Sequence, residues 1–584
     1  MRLYDIEAPE QIQYLSLDQL KELADDIREF LIDSLSKTGG PLANNLSIVD
    51  ATIALHYVFH VPFDSIVFDL GYQCLTHKIL TGRACRFGTL LKTDGLTAFP
   101  SPEESQFDSS YSNHAGQGLS FAIGLASARD LKNETNHVIC LLENESFHSG
   151  DCFEALYQLV KEQKKVIILY NDSSIVDENT KHKIHRSNKM LKKASKQLKT
   201  KVNKNRFGKG MLSTIYSVKD AFFSHSIFKD LGFHYQGLVD GHNLEALIQA
   251  LENAKEAQGP SFIHIKTKKG YGLNFIQSNP SWNSLSPFHK ENGKPLFELP
   301  KNQMNWSDFV HLFVHKLAEK DQRIYSIQCN SSYLNHYLSF ASGLSEANYH
   351  PFLSISSNQI IKCLDAIQNN LCFINKGVVV HISDCGLIGE KGPLFQGIDD
   401  VVHLTQIPQM ILSHPKDANE CKDLLYTAFQ VDQPFFIRTS YGHTQVNELS
   451  TKNLIEIGSW SQFQIGMYPK AVVITYGEYV NRMIDKAAQN NFDLLIVNAR
   501  FLKPIDQDML NEIFQIDLPI YVCEPDRKGG LASTIQALSP KKIQSLGIED
   551  HFIEQGSLRT LKIRESVSVE AFIQEVIRDT YAFR

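Results

Sequence analysis

The stretch "ICLLENESFHSGDCFEAL", Ile139 to Leu156, runs from a β-rich apolar segment into a helical one and places Glu143, Asn144 and Glu145 at the turn. A strand-to-helix turn offers backbone N–H groups and the positive end of a helix, so it favours anions. Two carboxylates at that turn repel an anionic ligand at close range, and they also present hard oxygens that suit Mg²⁺. A second polar turn, "NDSSI" (Asn171 to Ile175), follows the next apolar run. His114 in "NHAG" carries a ring that can shuttle protons or can simply be satisfied by backbone. Asp240 and His242 in "VDGHN" fit an Asp-Gly turn. The ten cysteines are scattered singly from Cys74 to Cys523. None has a CxxC or metal-ligand spacing, which points to reduced thiols in a cytoplasm.

The elements that must position these residues alternate along the chain. "SLDQLKELADDIREFLIDSLSK" has apolar residues at helical spacing, with Ser16 as its N-cap. "HVICLL", "KVIILY" and "SFIHIKT" read as short strands with helices between them, which predicts α/β architecture with parallel, doubly wound sheets. A second βα set begins near Asn305, with "GVVVHIS" and "PFFIRTS" as strands. A third runs from "AVVITYG" through "LLIVNARFLKPID" to "IYVCEP". Boundaries near 300 and 450 therefore divide the 584 residues into 1–300, 301–450 and 451–584.

The net charge of −7 gives no general reason to expect nucleic acid. Lys181–Lys209 holds 12 Lys or Arg and no acid, but almost no aromatic residue for base stacking; it reads as a solvated basic segment. No apolar run reaches the roughly 18 residues of a membrane span, and the N-terminus has no secretory pattern. The expected setting is cytoplasmic.

Taken in order, "FLIDSLSKTGG", "ATIALHYVF", "THKILTGR", "FEAL", "VDGHN", "IKTKKG", "VNARFLKPID" and "FIEQGS" resemble blocks of 1-deoxy-D-xylulose-5-phosphate synthase, a transketolase-like family dependent on thiamine diphosphate and Mg²⁺. The resemblance runs nearly end to end. It implies three α/β domains: one for the diphosphate, one, here shortened, for the aminopyrimidine, and a C-terminal one. It also implies a homodimer, or a hetero-oligomer with a related subunit. The reaction it implies condenses pyruvate with glyceraldehyde 3-phosphate, releases carbon dioxide, and feeds isoprenoid and thiamine biosynthesis.

The same resemblance assigns site positions, and most are substituted. The G-D-G motif falls on Glu143, Asn144 and Glu145, followed by Ser146. The metal-ligand Asp is therefore Asn144, and the second metal-ligand position is Ser173. The cofactor-facing histidine of "VGHQ" is Tyr72. "GHSS" reads Asn113, His114, Ala115 and Gly116, leaving His114 as the one catalytic candidate. The glutamate that activates the cofactor becomes Leu334, which cannot move a proton. Arginines for the substrate phosphate become Cys385 and Tyr441, while Arg438 remains. Histidines become Pro41 and Phe395. The pyrimidine-stacking aromatic falls near Gln359, and the tyrosine expected near the cofactor corresponds to Tyr271 or is missing. Glu143 and Glu145 read either as substitute cation ligands or as exposed acids of an idle turn. Chemistry is lost while scaffold blocks are kept. That pattern points to a family member impaired in catalysis, with a binding or regulatory role, against the alternative of an active enzyme with an unusual site or of a cleft that holds another small molecule.

Overall fold

The computed structural model describes residues 3–111, 115–173, 225–278, 282, 286–297, 300, 302–329, 333–446 and 451–582. Asn113, His114 and the basic segment 181–209 lie outside these. The chain forms two compact units, Met1–Leu90 with Leu96–Phe297, and Leu91–Gly95 with Glu298–Arg584.

Unit 1 opens with the helix Leu17–Thr38. Ser16 caps it: its hydroxyl accepts from Gln19 N, and the Gln19 side chain accepts in turn from Ser16 N at 2.9 Å, satisfying N–H groups that the first turn leaves orphaned. Leu20, Leu23, Ile27, Leu31 and Leu35 form the buried stripe. The sheet holds β1 (Ser65–Phe68), β2 (Val138–Glu143), β3 (Ile167–Asp172), β4 (His234–Asp240) and β5 (Ser261–Lys266), all parallel, in the order β1-β2-β3-β5-β4. β2 is buried along its whole length and β3 almost so, because helices cover both faces of such a sheet. The register pairs Glu143 with Asn171 and Asp172 with Lys266, which brings the polar turns together at the carboxyl edge of the sheet.

Unit 2 contains two larger sheets. One joins β7 (Ile324–Ile327), β8 (His350–Ser356), β9 (Val379–Cys385), β10 (Ile411–Ser413), β11 (Phe435–Ser440) and β16 (Phe501–Lys503), in the order β16-β10-β11-β9-β8-β7. The other joins β13 (Ser461–Ile465), β14 (Val472–Thr475), β15 (Leu494–Asn498), β17 (Ile520–Arg527) and β18 (Gln544–Ile548), in the order β13-β15-β14-β17-β18. Among the described strands of these two sheets, only β16 and β13 run antiparallel to their neighbours. A small ribbon pairs β6 (Gln303–Asn305) with β12 (His443–Gln445). One hydrophobic cluster reaches from Trp306 through Phe435 and Phe501 to Ile543, so both large sheets share a core. The short connection from Ile327 leads into the helix Leu334–Glu346. Among the described residues no helix is long and apolar enough to cross a membrane.

Candidate functional site

The carboxyl edge of the unit 1 sheet is where an open α/β fold places its ligands. β2 ends on Glu143, and the chain turns at once into the short helix Asn144–Phe147. Glu143 is buried and Glu145 is exposed, which corrects the reading of both acids as exposed turn residues. The cause lies on the neighbouring strand. The Glu143 carboxylate accepts from Ser173 Oγ at 2.8 Å and from Asn171 Nδ2 at 3.3 Å. Asn171 Oδ1 accepts in turn from Thr267 Oγ1 at 2.6 Å. Burial pushes the Glu143 carboxyl up to about 7, the charge of Glu145 adds to this, and the Ser173 hydrogen bond and Lys269 oppose it.

Tyr72 lies close to both acids. Burial raises its phenol well above the usual range, and the charges of Glu143 and Glu145 raise it further. The side-chain Oδ1 of Asn144, the nominal metal-ligand position, accepts a hydrogen bond from Tyr170 OH at 3.0 Å. Tyr170 is held by ring contacts with Phe147 at 4.8 Å and His264 at 5.0 Å. Ser146 and Ala115 are buried. The neighbouring Asp69 accepts from Gly116 N at 2.8 Å and from Gly118 N. The structure thus gathers Tyr72, Glu143, Asn144, Glu145 and Ser173 in unit 1. Among the described residues no group of three His, Cys, Asp or Glu side chains is placed to hold a metal ion.

The "VDGHN" loop builds a second polar cluster in the same unit. His242 Nδ1 donates to Asp50 Oδ2 at 3.1 Å, its Nε2 accepts from Lys268 N at 3.0 Å, and its ring stacks on Tyr271 at 3.7 Å. Arg28 pairs with Asp50 and lies 4.9 Å from the Tyr271 ring centroid. These contacts anchor Tyr271 to the loop.

Leu334, Cys385, Tyr441 and Arg438 belong to unit 2. Leu334 begins its helix as part of the hydrophobic cluster. The Cys385 thiol is buried and pushed up by that burial, its Sγ 3.3 Å from Ile382 O. Tyr441 packs beneath Lys391, whose Nζ is 5.7 Å from the ring centroid. Arg438 is present but fully buried. Its Nε and Nη2 reach both oxygens of Asp400 at 2.8 Å, and Nη1 donates to Asp526 Oδ2 at 3.0 Å and to His414 Nδ1 at 2.9 Å. Tyr476 OH adds a bond to Asp526 at 2.8 Å. Sequence reading missed Asn171, Thr267, Tyr170, Asp400 and Asp526 as the partners that fix these side chains. The two-residue spacing of Asn171 and Ser173 in "NDSSI" was the one available signal.

Two family models match the chain: 1-deoxy-D-xylulose-5-phosphate synthase over residues 3–267, and the transketolase pyrimidine binding domain over 335–445. The 1-deoxy-D-xylulose-5-phosphate synthase of Listeria welshimeri is 33% identical, covering 100% of this chain and 98% of the relative. That of Caldanaerobacter subterraneus is 32% identical, covering 96% of each. Among solved structures, transketolase from Campylobacter jejuni overlaps 97% of this chain at 14% identity with a TM-score of 0.41. With a third of its residues identical to curated relatives across its full length, the chain belongs to the 1-deoxy-D-xylulose-5-phosphate synthase family.

Proposed function

We propose that this chain is a member of the synthase family that has given up the synthase reaction and persists as a binding or regulatory subunit, as a homodimer or beside a related active chain. The observation that carries the reading is the buried Glu143 carboxyl bound to Ser173 and Asn171. In the family, this turn is where thiamine diphosphate and Mg²⁺ are held. Here the donor set does not fit them. A carboxyl fills the position of a glycine, the Ser173 hydroxyl is directed at that carboxyl, and Asn144 Oδ1 already accepts from Tyr170 OH. A diphosphate brought to this turn meets the Glu145 carboxylate and the buried Glu143 side chain where the family has glycines, and its metal finds one neutral carbonyl where a charged ligand belongs. Leu334 supports the reading independently, since a buried alkyl side chain cannot take part in proton transfer. Arg438, neutralised by two carboxylates, offers no free cation to a substrate phosphate. The same reading keeps three domains, 1–300, 301–450 and 451–584, and a cytoplasmic setting.

Native mass spectrometry of the purified protein, after incubation with thiamine diphosphate and Mg²⁺, tests the proposal. The expected spectrum is that of the bare chain; a species heavier by coenzyme plus metal contradicts it. A second reading, an active synthase with an unusual site, draws on the identity to relatives named as synthases. It predicts carbon dioxide release from pyruvate in the presence of glyceraldehyde 3-phosphate, and our reading predicts none above the background without enzyme.

A further inference from the structure

Lys562 stands on the short helix Leu558–Arg564, and its side chain is half-buried beside two longer helices, Tyr479–Gln489 and Val569–Ala582. Its Nζ lies 5.3 Å from the centroid of the Tyr479 ring. That ring is fixed in place: its OH donates to Val567 O at 2.8 Å, and it belongs to the apolar cluster of Leu561, Val567 and Phe572. Glu478 and Glu570 stand near enough to favour an ammonium at Lys562, but both are engaged elsewhere. Arg482 Nη2 donates to Glu478 Oε2 at 2.9 Å, and Lys486 Nζ pairs with Glu570 Oε1 at 3.2 Å. On the Lys562 helix itself, Arg564 pairs with Glu554 at 3.1 Å. Among the described residues no oxygen accepts a hydrogen bond from Lys562 Nζ. Two other lysines drawn partly out of water differ in this respect. Lys165 Nζ donates to Lys255 O at 2.7 Å, and Lys503 Nζ donates to Thr405 O at 2.7 Å and Ile407 O at 2.6 Å. Burial pushes the Lys562 amine down to about 8, the Arg482 charge adds to this, and Glu478 and Glu570 oppose it.

A lysine drawn out of water beside another cation is an activated nitrogen nucleophile. We propose that Lys562 is an acylation site, modified by an activated acyl group carried as an acyl phosphate or an acyl thioester. The neutral Nζ attacks the acyl carbonyl carbon and a C–N bond forms. The C–O bond to phosphate, or the C–S bond to the thiol carrier, breaks, and the leaving group keeps the electron pair. The amine proton passes to water. The product is an uncharged amide, so the modification removes the charge that burial and Arg482 disfavour at this place. Carbon dioxide on the same nitrogen gives instead a carbamate, which returns a charge to the same half-buried position beside Glu478 and Glu570. The site lies wholly within unit 2 and does not depend on whether the unit 1 turn holds a coenzyme.

Acylation rates of individual lysines in the full chain, read by peptide mass mapping, test the proposal. Acetyl phosphate and acetyl coenzyme A are each supplied at limiting concentration, from about pH 6.5 to about pH 10. At about pH 7.5, Lys562 is expected to react about tenfold or more faster than the exposed Lys132 and Lys320 with at least one of the two donors, and the donor that works identifies the carrier. Its rate is expected to level off above about pH 8, while the rates of exposed lysines keep rising toward about pH 10. Unfolding in urea is expected to erase the advantage, because packing creates it and local sequence does not. A Lys562 rate no higher than those of Lys132 and Lys320 with both donors overturns the proposal. So does an advantage that persists in the unfolded chain, or a Lys562 rate that still climbs at about pH 10.

Discussion

Replacing Arg438 with methionine separates a structural role for this residue from the phosphate-binding role that its place in the family motif suggests. The guanidinium is fully buried, as are the Asp400 and Asp526 carboxylates it joins, and it makes four hydrogen bonds to three side chains. Methionine keeps much of the stem volume and removes the charge, leaving two buried acids without their cation. Breaking a buried ion pair from one side costs about 3–5 kcal/mol. For a unit of roughly 290 residues, unfolding entropy converts this into a fall of about 5–8 °C in the melting transition. The loss also has a sign in pH. Burial already raises the Asp526 carboxyl. Acid conditions that neutralise the orphaned carboxylates shrink the penalty, and neutral or basic conditions restore it. Scanning calorimetry of wild type and Arg438→Met at acid and neutral pH reads both features. A second variant, Arg438→Met with Asp400→Asn and Asp526→Asn, removes the unpaired charge and is expected to recover much of the loss. An unchanged transition in Arg438→Met, at every pH, refutes the reasoning and returns Arg438 to the pool of residues free to bind phosphate.

Glu524 provides a pH test in the same unit. It is buried, accepts from Leu531 N at 2.8 Å and from Ala532 N at 3.2 Å, and burial raises its carboxyl from 4.5 to about 7. The fold therefore binds this proton more tightly than the unfolded chain does, and stability falls as pH rises from about 4.5 to about 7. The loss is at most about 3 kcal/mol; Glu524→Gln is expected to flatten that part of the profile, and an unchanged slope contradicts it. Leu334→Ala is expected to destabilise unit 2 by about 2–5 kcal/mol, as deletion of a buried leucine does, in contrast to the near-neutral effect of trimming an idle pocket residue. Leu334→Glu restores the family's acid at that position, yet is expected to give no carbon dioxide release from pyruvate, because the unit 1 turn remains blocked; measurable turnover counts against that account. Ser173→Ala is expected to raise the Glu143 carboxyl further, since it removes the principal hydrogen bond to the ionised form; carboxyl infrared titration against Glu143→Gln detects this, and a lowered value contradicts it.

The runs "HVICLL", "KVIILY" and "SFIHIKT" were legible as strands because parallel strands buried on both faces read as unbroken apolar stretches. They correspond to β2, β3 and β5. The helix behind Ser16 was legible because its capping box and its stripe are local. Three-residue strands such as β10 and β16 carry too little pattern to find, since their pairing comes from the sheet. At the site, the place of Glu143 at a strand end could be read, but its burial could not. That depends on Asn171 and Ser173, 28 and 30 residues away, which the parallel register of β2 and β3 brings alongside. Arg438 was readable as a surviving arginine but not as a neutralised one, because Asp400 and Asp526 lie 38 and 88 residues distant. Local chemistry is written in the sequence; which partner satisfies it is set by the topology.

Isothermal titration of thiamine diphosphate into the protein in the presence of Mg²⁺ bears most directly on the central claim. With Glu143, Glu145 and Ser173 as they stand, we predict no saturable heat up to millimolar coenzyme. Binding in the micromolar range, with one coenzyme per chain, contradicts the account and makes this chain a coenzyme-loaded member of its family.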